Sequence, residues 1–199
     1  MNPTLRIAIA DDEPDMRDYF QDALPRLGHT VVAVAENGRE LVEKCRTAQP
    51  DLVITDIKMP ELDGIDAAIK VYQERPVPVI LVSAHHDAAL IERAEMDHIM
   101  SYLVKPIKQS DLAPTIAIAA RRFENFMTIR QEAADLRQAL ADSKVTERAK
   151  GIQMKKGKLD EPEAFRRLQK LASDKNQKLI EIASMIVTAE EAFQSLENG

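Results

Sequence analysis

Asp51-Leu-Val-Ile-Thr-Asp-Ile-Lys-Met-Pro-Glu-Leu-Asp-Gly64 is an apolar run that ends on a carboxylate and passes at once into turn residues. Leu52, Val53 and Ile54 are too continuous for a half-exposed strand and suit one buried on both faces, as in a parallel sheet. Asp56 then falls at the carboxyl end of that strand, where open α/β sheets place their ligands. Met59-Pro60 and Asp63-Gly64 mark a loop, and Ile65, Ala68, Ile69 and Tyr72 resume a helical pattern beyond it.

The same strand, loop and helix grammar repeats on both sides. Leu5-Arg-Ile-Ala-Ile-Ala10 ends on Asp11-Asp12-Glu13, and Pro14 suits the first turn of a helix carrying Met16, Phe20 and Leu24. Val31–Ala35 predicts a second strand, Asn37-Gly38 a turn, and Leu41, Val42 and Cys45 the stripe of the next helix, with Cys45 turned to the core and inert. Val79–Val82 predicts a fourth strand ending at Ser83, a weakly amphipathic helix covers about 87–96, and Ile99–Val104 predicts a fifth strand ending at Lys105-Pro106. Five strands alternating with helices give an α/β fold, a doubly wound five-stranded parallel sheet with right-handed crossovers.

That topology brings Asp11, Asp12, Asp56, Ser83 and Lys105 to one edge of the sheet. Clustered carboxylates repel unless a cation neutralises them, and an all-oxygen set favours Mg²⁺ over zinc or copper. A carboxylate beside Mg²⁺, with an ammonium and a hydroxyl at hand, is equipped to attack a phosphoryl group, and Asp56 is the nucleophile these positions predict. His85 and His86 lack partners at zinc spacing and read as solvated loop residues.

The chain has 199 residues, room for one domain of ordinary size and a smaller companion. Its aromatic content is 4% with no Trp, so packing is expected to be aliphatic. A single cysteine excludes an internal disulfide, and no stretch reaches the roughly 20 apolar residues of a membrane helix. With no signal-peptide pattern at the start, a cytoplasmic protein without membrane partners is expected. Charge is uneven: residues 1–111 hold 12 Lys/Arg against 20 Asp/Glu, a balance of −8, and residues 144–178 hold 11 against 5, a balance of +6. The two parts are expected to meet different partners.

Residues from about 4 to 120 resemble the receiver domain of two-component response regulators, on the ordered set Asp11-Asp12, Asp56 before Met59-Pro60 and Asp63-Gly64, Ser83, Tyr102 and Lys105-Pro106. The resemblance implies a flavodoxin-like receiver over 1–120 that takes a phosphoryl group from a histidine kinase onto Asp56. The resemblance further implies that the chain would not be an enzyme in its own right, although it would assist its own phosphorylation and dephosphorylation. Mg²⁺ would be held by Asp12, Asp56 and the backbone carbonyl of Lys58, with Asp11 in the outer shell. Ser83 and Tyr102 would form the switch pair and Lys105 would bind the phosphate, with a cis peptide before Pro106. Lys58 and His85 would influence how water reaches the phosphoryl group.

Beyond Leu112 the apolar positions Leu112, Ile116, Ala119, Phe123, Phe126, Ile129, Ala133, Leu136 and Leu140 recur at spacings of mostly three and four. This stripe predicts a helical coiled-coil linker over 112–143, continuous with the last receiver helix and pairing two copies as a homodimer. The helix is expected to run to Gly157, Asp160-Glu-Pro-Glu163 to open a second one, and Leu179 to Phe193 to form a third, an all-α three-helix domain over 144–199. Ala149-Lys150-Gly151-Ile-Gln-Met154, with Pro162–Phe165, Leu168, Leu171-Ala172, Leu179, Ile182 and Ala183, resembles the ANTAR domain over about 136–193. The pattern is broken at Lys144, Thr146 and Gln153, where arginine, a large aliphatic and leucine are usual.

That resemblance implies binding to paired hairpins in nascent RNA and antitermination of transcription, with Lys144, Arg148, Lys150, Gly151 and Lys155 as the expected RNA contacts. A DNA-binding transcriptional regulator or a protein–protein adaptor of a phosphorelay are the alternatives the residues leave open.

Overall fold

The computed structural model describes residues 3–84 and 99–197. The chain divides into two compact units, 1–128 and 129–199. The predicted helix at 87–96 and both His85 and His86 lie outside the described residues. No helix among the described residues is long and apolar enough to cross a membrane.

The first unit holds a five-stranded parallel sheet: β1 (Arg6–Ala10), β2 (Thr30–Ala35), β3 (Leu52–Asp56), β4 (Val79–Ser83) and β5 (Ile99–Val104), in the order β2-β1-β3-β4-β5. Helices α1 (Pro14–Arg26), α2 (Gly38–Ala48) and α3 (Gly64–Glu74) alternate with the strands. All five residues of β3 are buried, which is why this strand reads as an unbroken apolar run. Alternation decides which face each side chain serves. Ala8, Ala10, Val53, Val79 and Leu81 pack with Leu41, Val42 and Cys45 of α2 and Ile65, Ala68 and Val71 of α3. Ile7, Ile9, Leu52, Ile54, Ile80 and Val82 face the other way, toward Phe20 and Leu24 of α1. Burial pushes the Cys45 thiol up to about 12, so it packs as a small apolar group rather than reacting.

Helix α4 (Gln109–Gly157) contributes to both units, and its apolar stripe has two fates. Leu112, Ile116 and Ala119 are 0–1% exposed and complete the core beside α1, with Phe123 and Phe126 packed against it. Leu112, Ile116 and Ala119 are therefore committed to the core of their own unit, and Phe123 and Phe126 are half-buried against it. Ile129, Leu136 and Leu140 are 57–72% exposed. Burying a Leu or Ile is worth about 1.5–3 kcal/mol, so three of them left in water form the part of the stripe still open to a partner.

The second unit adds α5 (Glu161–Lys175) and α6 (Leu179–Glu197). Ala149 of α4, Leu168 and Ala172 of α5, and Ile182, Ala183 and Val187 of α6 form its core, ringed by Val145, Ile152, Leu171, Leu179 and Ile186. Asp160 caps α5 by accepting the Glu163 N–H at 2.8 Å, and Asn176 ends it in the left-handed conformation.

Two glycines shape the loop after β3. A Cβ on Gly64 would lie 1.9 Å from the Asp56 carbonyl oxygen, and one on Gly38 would lie 2.3 Å from the Leu62 carbonyl oxygen. The backbone packs too closely at both places for any side chain. Gly64→Ala should cost about 2 kcal/mol or more through overpacking, read as a lower urea midpoint. An unchanged midpoint would show that the loop yields without loss. A second prediction concerns His29, buried at 9% exposure, whose Nδ1 accepts the Leu5 N–H at 3.3 Å. Burial holds its pKa below the ordinary histidine value. Its contribution is complete above the unfolded pKa and is lost as pH falls through the lower folded value. His29→Asn, which can accept the same bond but does not titrate, should lose less thermal stability between pH 7 and pH 5 than the parent. Parallel losses would mean that other groups set the slope.

Candidate functional site

Parallel register places four strand ends side by side: Ala10 pairs with Thr55, Asp56 with Val82, and Ser83 with Val104. Asp11 follows β1 directly, Asp56 ends β3, Ser83 ends β4, and Lys105 follows β5. The Lys105 N–H donates to the Ser83 carbonyl at 2.8 Å, and the peptide from Lys105 to Pro106 is cis.

The Lys105 ammonium then reaches three carboxylates. Its Nζ lies 3.0 Å from Asp56 Oδ1, 2.8 Å from Glu13 Oε1 and 3.1 Å from Asp11 Oδ2. Asp56 Oδ2 accepts the Lys58 N–H at 2.7 Å, and Asp11 Oδ1 accepts the Glu13 N–H at 3.0 Å. Arg17 donates to the backbone carbonyls of Asp11 and Asp12 and also pairs with Glu36, pinning the acidic loop. Burial raises the Asp11 and Asp56 carboxyls above the usual range, against the pull of Lys105. Burial also works against the Lys105 charge, but Glu13, Asp56 and Asp11 outweigh it and raise its pKa.

The donor set fits a hard cation. Asp11, Asp12 and Glu13 can present one carboxylate oxygen each within 4.8 Å of one another. Asp11 Oδ2 is buried, with the Lys105 ammonium 3.1 Å away. One ammonium also leaves the charge of three carboxylates uncompensated. An all-oxygen, electronegative corner with a buried carboxylate oxygen suits Mg²⁺. Asp56 stands outside that three-residue group, with Oδ1 on Lys105.

Sequence reasoning gave Glu13 no role, although its carboxylate makes the shortest of the three contacts with Lys105. The Asp-Asp-Glu run showed the charge but not which side chain would turn toward β5. Ser83 is half-buried, and Tyr102 is 38% exposed on β5.

In the second unit, Lys144, Arg148, Gly151 and Lys155 are exposed and follow one another by four, three and four residues, so they share one face of α4. Arg148 pairs with Glu191 at 2.6 Å. Lys150 does not belong to this face. It is buried at 8% exposure, bonds Glu147 at 2.7 Å and Glu161 at 2.8 Å, and lies 5.8 Å from the Phe165 ring centroid. Its ammonium, raised in pKa by those two carboxylates, ties α4 to the first turn of α5 and is not presented outward. Lys150, expected among the RNA contacts, is thus held within its own unit, because the turn at Gly157 brings Glu161 to it.

Comparison with known proteins agrees with both halves. Residues 7–117 match the response regulator receiver domain family, and residues 134–187 match the ANTAR domain family. The transcriptional regulatory protein PdtaR of Mycobacterium tuberculosis is 38% identical over 182 residues, 92% of this chain and 89% of that protein. The protein-glutamate methylesterase/protein-glutamine glutaminase of Natronomonas pharaonis is 40% identical over 107 residues, 53% of this chain but only 30% of its own length. The likeness to such enzymes is confined to their receiver domains. The response regulator domain of Thermotoga maritima CheB superposes with a TM-score of 0.54 at 30% identity, covering 62% of this chain and 98% of that one. The chain belongs to the two-component response regulators, with a receiver domain followed by an ANTAR domain.

Proposed function

We propose that this response regulator accepts a phosphoryl group on Asp56 from a histidine kinase and, as a cytoplasmic homodimer, binds paired RNA hairpins and antiterminates transcription. The observation that carries the receiver half is the contact of Asp56 Oδ1 with Lys105 Nζ at 3.0 Å, beside the acidic loop at the sheet edge. Asp11, Asp12, Asp56 and the backbone carbonyl of Lys58 would hold Mg²⁺, which neutralises charge on phosphoryl oxygens when bound. A carboxylate oxygen of Asp56 attacks phosphorus, the P–N bond to the kinase histidine breaks, and the imidazole leaves with the electron pair. Lys105 faces the oxygens being transferred, while the Lys58 N–H fixes the orientation of the carboxylate. Ser83 would turn toward the new phosphoryl oxygens and Tyr102 would follow, so the chain assists both gain and hydrolytic loss of the group.

The RNA half rests on the face formed by Lys144, Arg148, Gly151 and Lys155. A Cβ at Gly151 would meet nothing within 4 Å, so no packing inside the unit calls for glycine there. Glycine costs a helix interior about 1 kcal/mol relative to alanine. What it offers is close approach of the α4 backbone to a polyanion, with cations before and after it for the phosphates. Ile129, Ala133, Leu136 and Leu140 follow one another by four, three and four residues, the pattern of a helix that pairs with a second copy. Two linked copies offer two sites to a two-hairpin target, and phosphorylation would favour that dimer.

Incubation with Mg²⁺ and a small phosphodonor should add one phosphoryl mass to the parent and none to Asp56→Asn. Equal gain by the variant would move the acceptor elsewhere. Ile129→Glu places a carboxylate in the proposed seam. Sedimentation should then return a monomer at low micromolar concentration, under phosphorylating conditions that leave the parent dimeric. A persistent dimer would put the interface on another surface.

A further inference from the structure

Some cations of the second unit are held by its own carboxylates and others are not. Lys150, Arg148 and Lys156 are engaged by the unit's own carboxylates: Glu147 and Glu161, Glu191, and Glu190 respectively. Lys158, Arg167 and Lys170 have no carboxylate within ion-pair distance among the described residues, and all three are exposed, whereas the charge of Lys155 acts on Glu190. Glu163 and Asp174 lie one turn to either side of Arg167 and Lys170 on α5, yet neither forms an ion pair with them.

Lys158, Arg167 and Lys170 meet at the α4–α5 turn. Lys155 stands in the last turn of α4 and Lys158 in the turn that follows, held at φ 49°. The Arg167 guanidinium returns to that turn, where its Nη1 lies 3.4 Å from the Cβ position of Gly157. Lys170 is three residues on, one turn along the same face of α5. Lys158, Arg167 and Lys170 therefore form a cationic cluster at the end of α4, on the side that carries Gly157 and about half a helix turn around from the Lys144–Arg148–Gly151–Lys155 face.

We infer that the nucleic-acid surface of this chain extends across the α4–α5 turn, with Lys158, Arg167 and Lys170 as phosphate contacts and Lys150 as an internal tie. The inference rests on the RNA reading proposed above. Lys150 already has two carboxylates and an aromatic ring around it, so a phosphate would have to displace them. Lys158, Arg167 and Lys170 have only water to give up, and that favours them as phosphate partners. Among the described residues of this unit the only aromatic side chains are Phe165, at Lys150, and Phe193, under Lys156 at 5.4 Å, so the turn offers charge without a stacking platform. Contacts there would secure the RNA backbone and leave sequence choice to other positions.

The experiment uses the full chain and a synthetic RNA of two tandem stem-loops with randomised loops, titrated at several salt concentrations. Arg167→Ser/Lys170→Ser should weaken binding on the order of tenfold or more near physiological salt. It should also flatten the slope of log K against log salt by about 1.4 to 1.8, the loss of two phosphate contacts. Arg167→Lys/Lys170→Arg, which keeps both charges, should restore the slope, whereas a purely structural role for Arg167 would not follow charge. Thermal unfolding of both variants confirms that α5 remains in place. Parent binding that is salt-dependent but unaltered in the Ser/Ser variant would overturn this extension and leave the RNA reading standing. A parent that binds the stem-loops no more tightly than duplex DNA of equal length would overturn the RNA reading and the extension with it.

Discussion

One ammonium group holds the carboxyl-terminal edge of the sheet together. Lys105 draws Asp11, Glu13 and Asp56 together from the ends of two other strands, and its main-chain N–H ties β5 to Ser83 at the end of β4. Without a cation there, two buried carboxylates would face each other across the sheet edge, an arrangement that burial makes costly. Burial outweighs the ammonium at both and raises their pKa values. The rest of the first unit serves this corner. Flat apolar packing fixes the strand ends, Arg17 anchors the acidic loop, and the close approach at Gly64 sets the backbone just beyond Asp56.

The second unit solves a different problem with similar means. Its small core draws on single faces of three helices and buries no large aromatic side chain. Lys150 supplements that core by crossing from α4 to Glu161 at the start of α5. A lysine used this way keeps its aliphatic stem against apolar neighbours while carboxylates satisfy its charge.

Much of the first unit could be read from the chain because its signals are local. Buried strands are short apolar runs, the loops carry Asn-Gly and Asp-Gly, and parallel connectivity alone gathers Asp11, Asp56, Ser83 and Lys105 at one edge. What could not be read was which partner each side chain would choose. The stripe from Leu112 to Leu140 has one period, but periodicity does not say that Phe20 and Leu24 of α1 cover its first third while Ile129, Leu136 and Leu140 remain in water. Lys150 sits in a basic stretch whose composition favours an outward charge, and only the turn at Gly157 brings Glu161 to it. Glu13 lay in plain view beside two acids that already had roles, and its contact with Lys105 spans 92 residues of sequence.

The ion pairs along the second unit carry a consequence for the thermodynamics of polyanion binding. Glu190 and Glu191 act as counterions built into the chain, held against Lys156 and Arg148. A phosphate arriving at Arg148 would have to displace a tethered glutamate, which would stay nearby at high effective concentration and carry no mixing entropy away. Such a contact would contribute little free energy and little dependence on added salt. Lys158, Arg167 and Lys170 have no such tethered partner among the described residues, and a phosphate reaching them would release diffusible ions into bulk solution. The number of ions liberated on binding should therefore fall well short of the number of lysines and arginines on the surface.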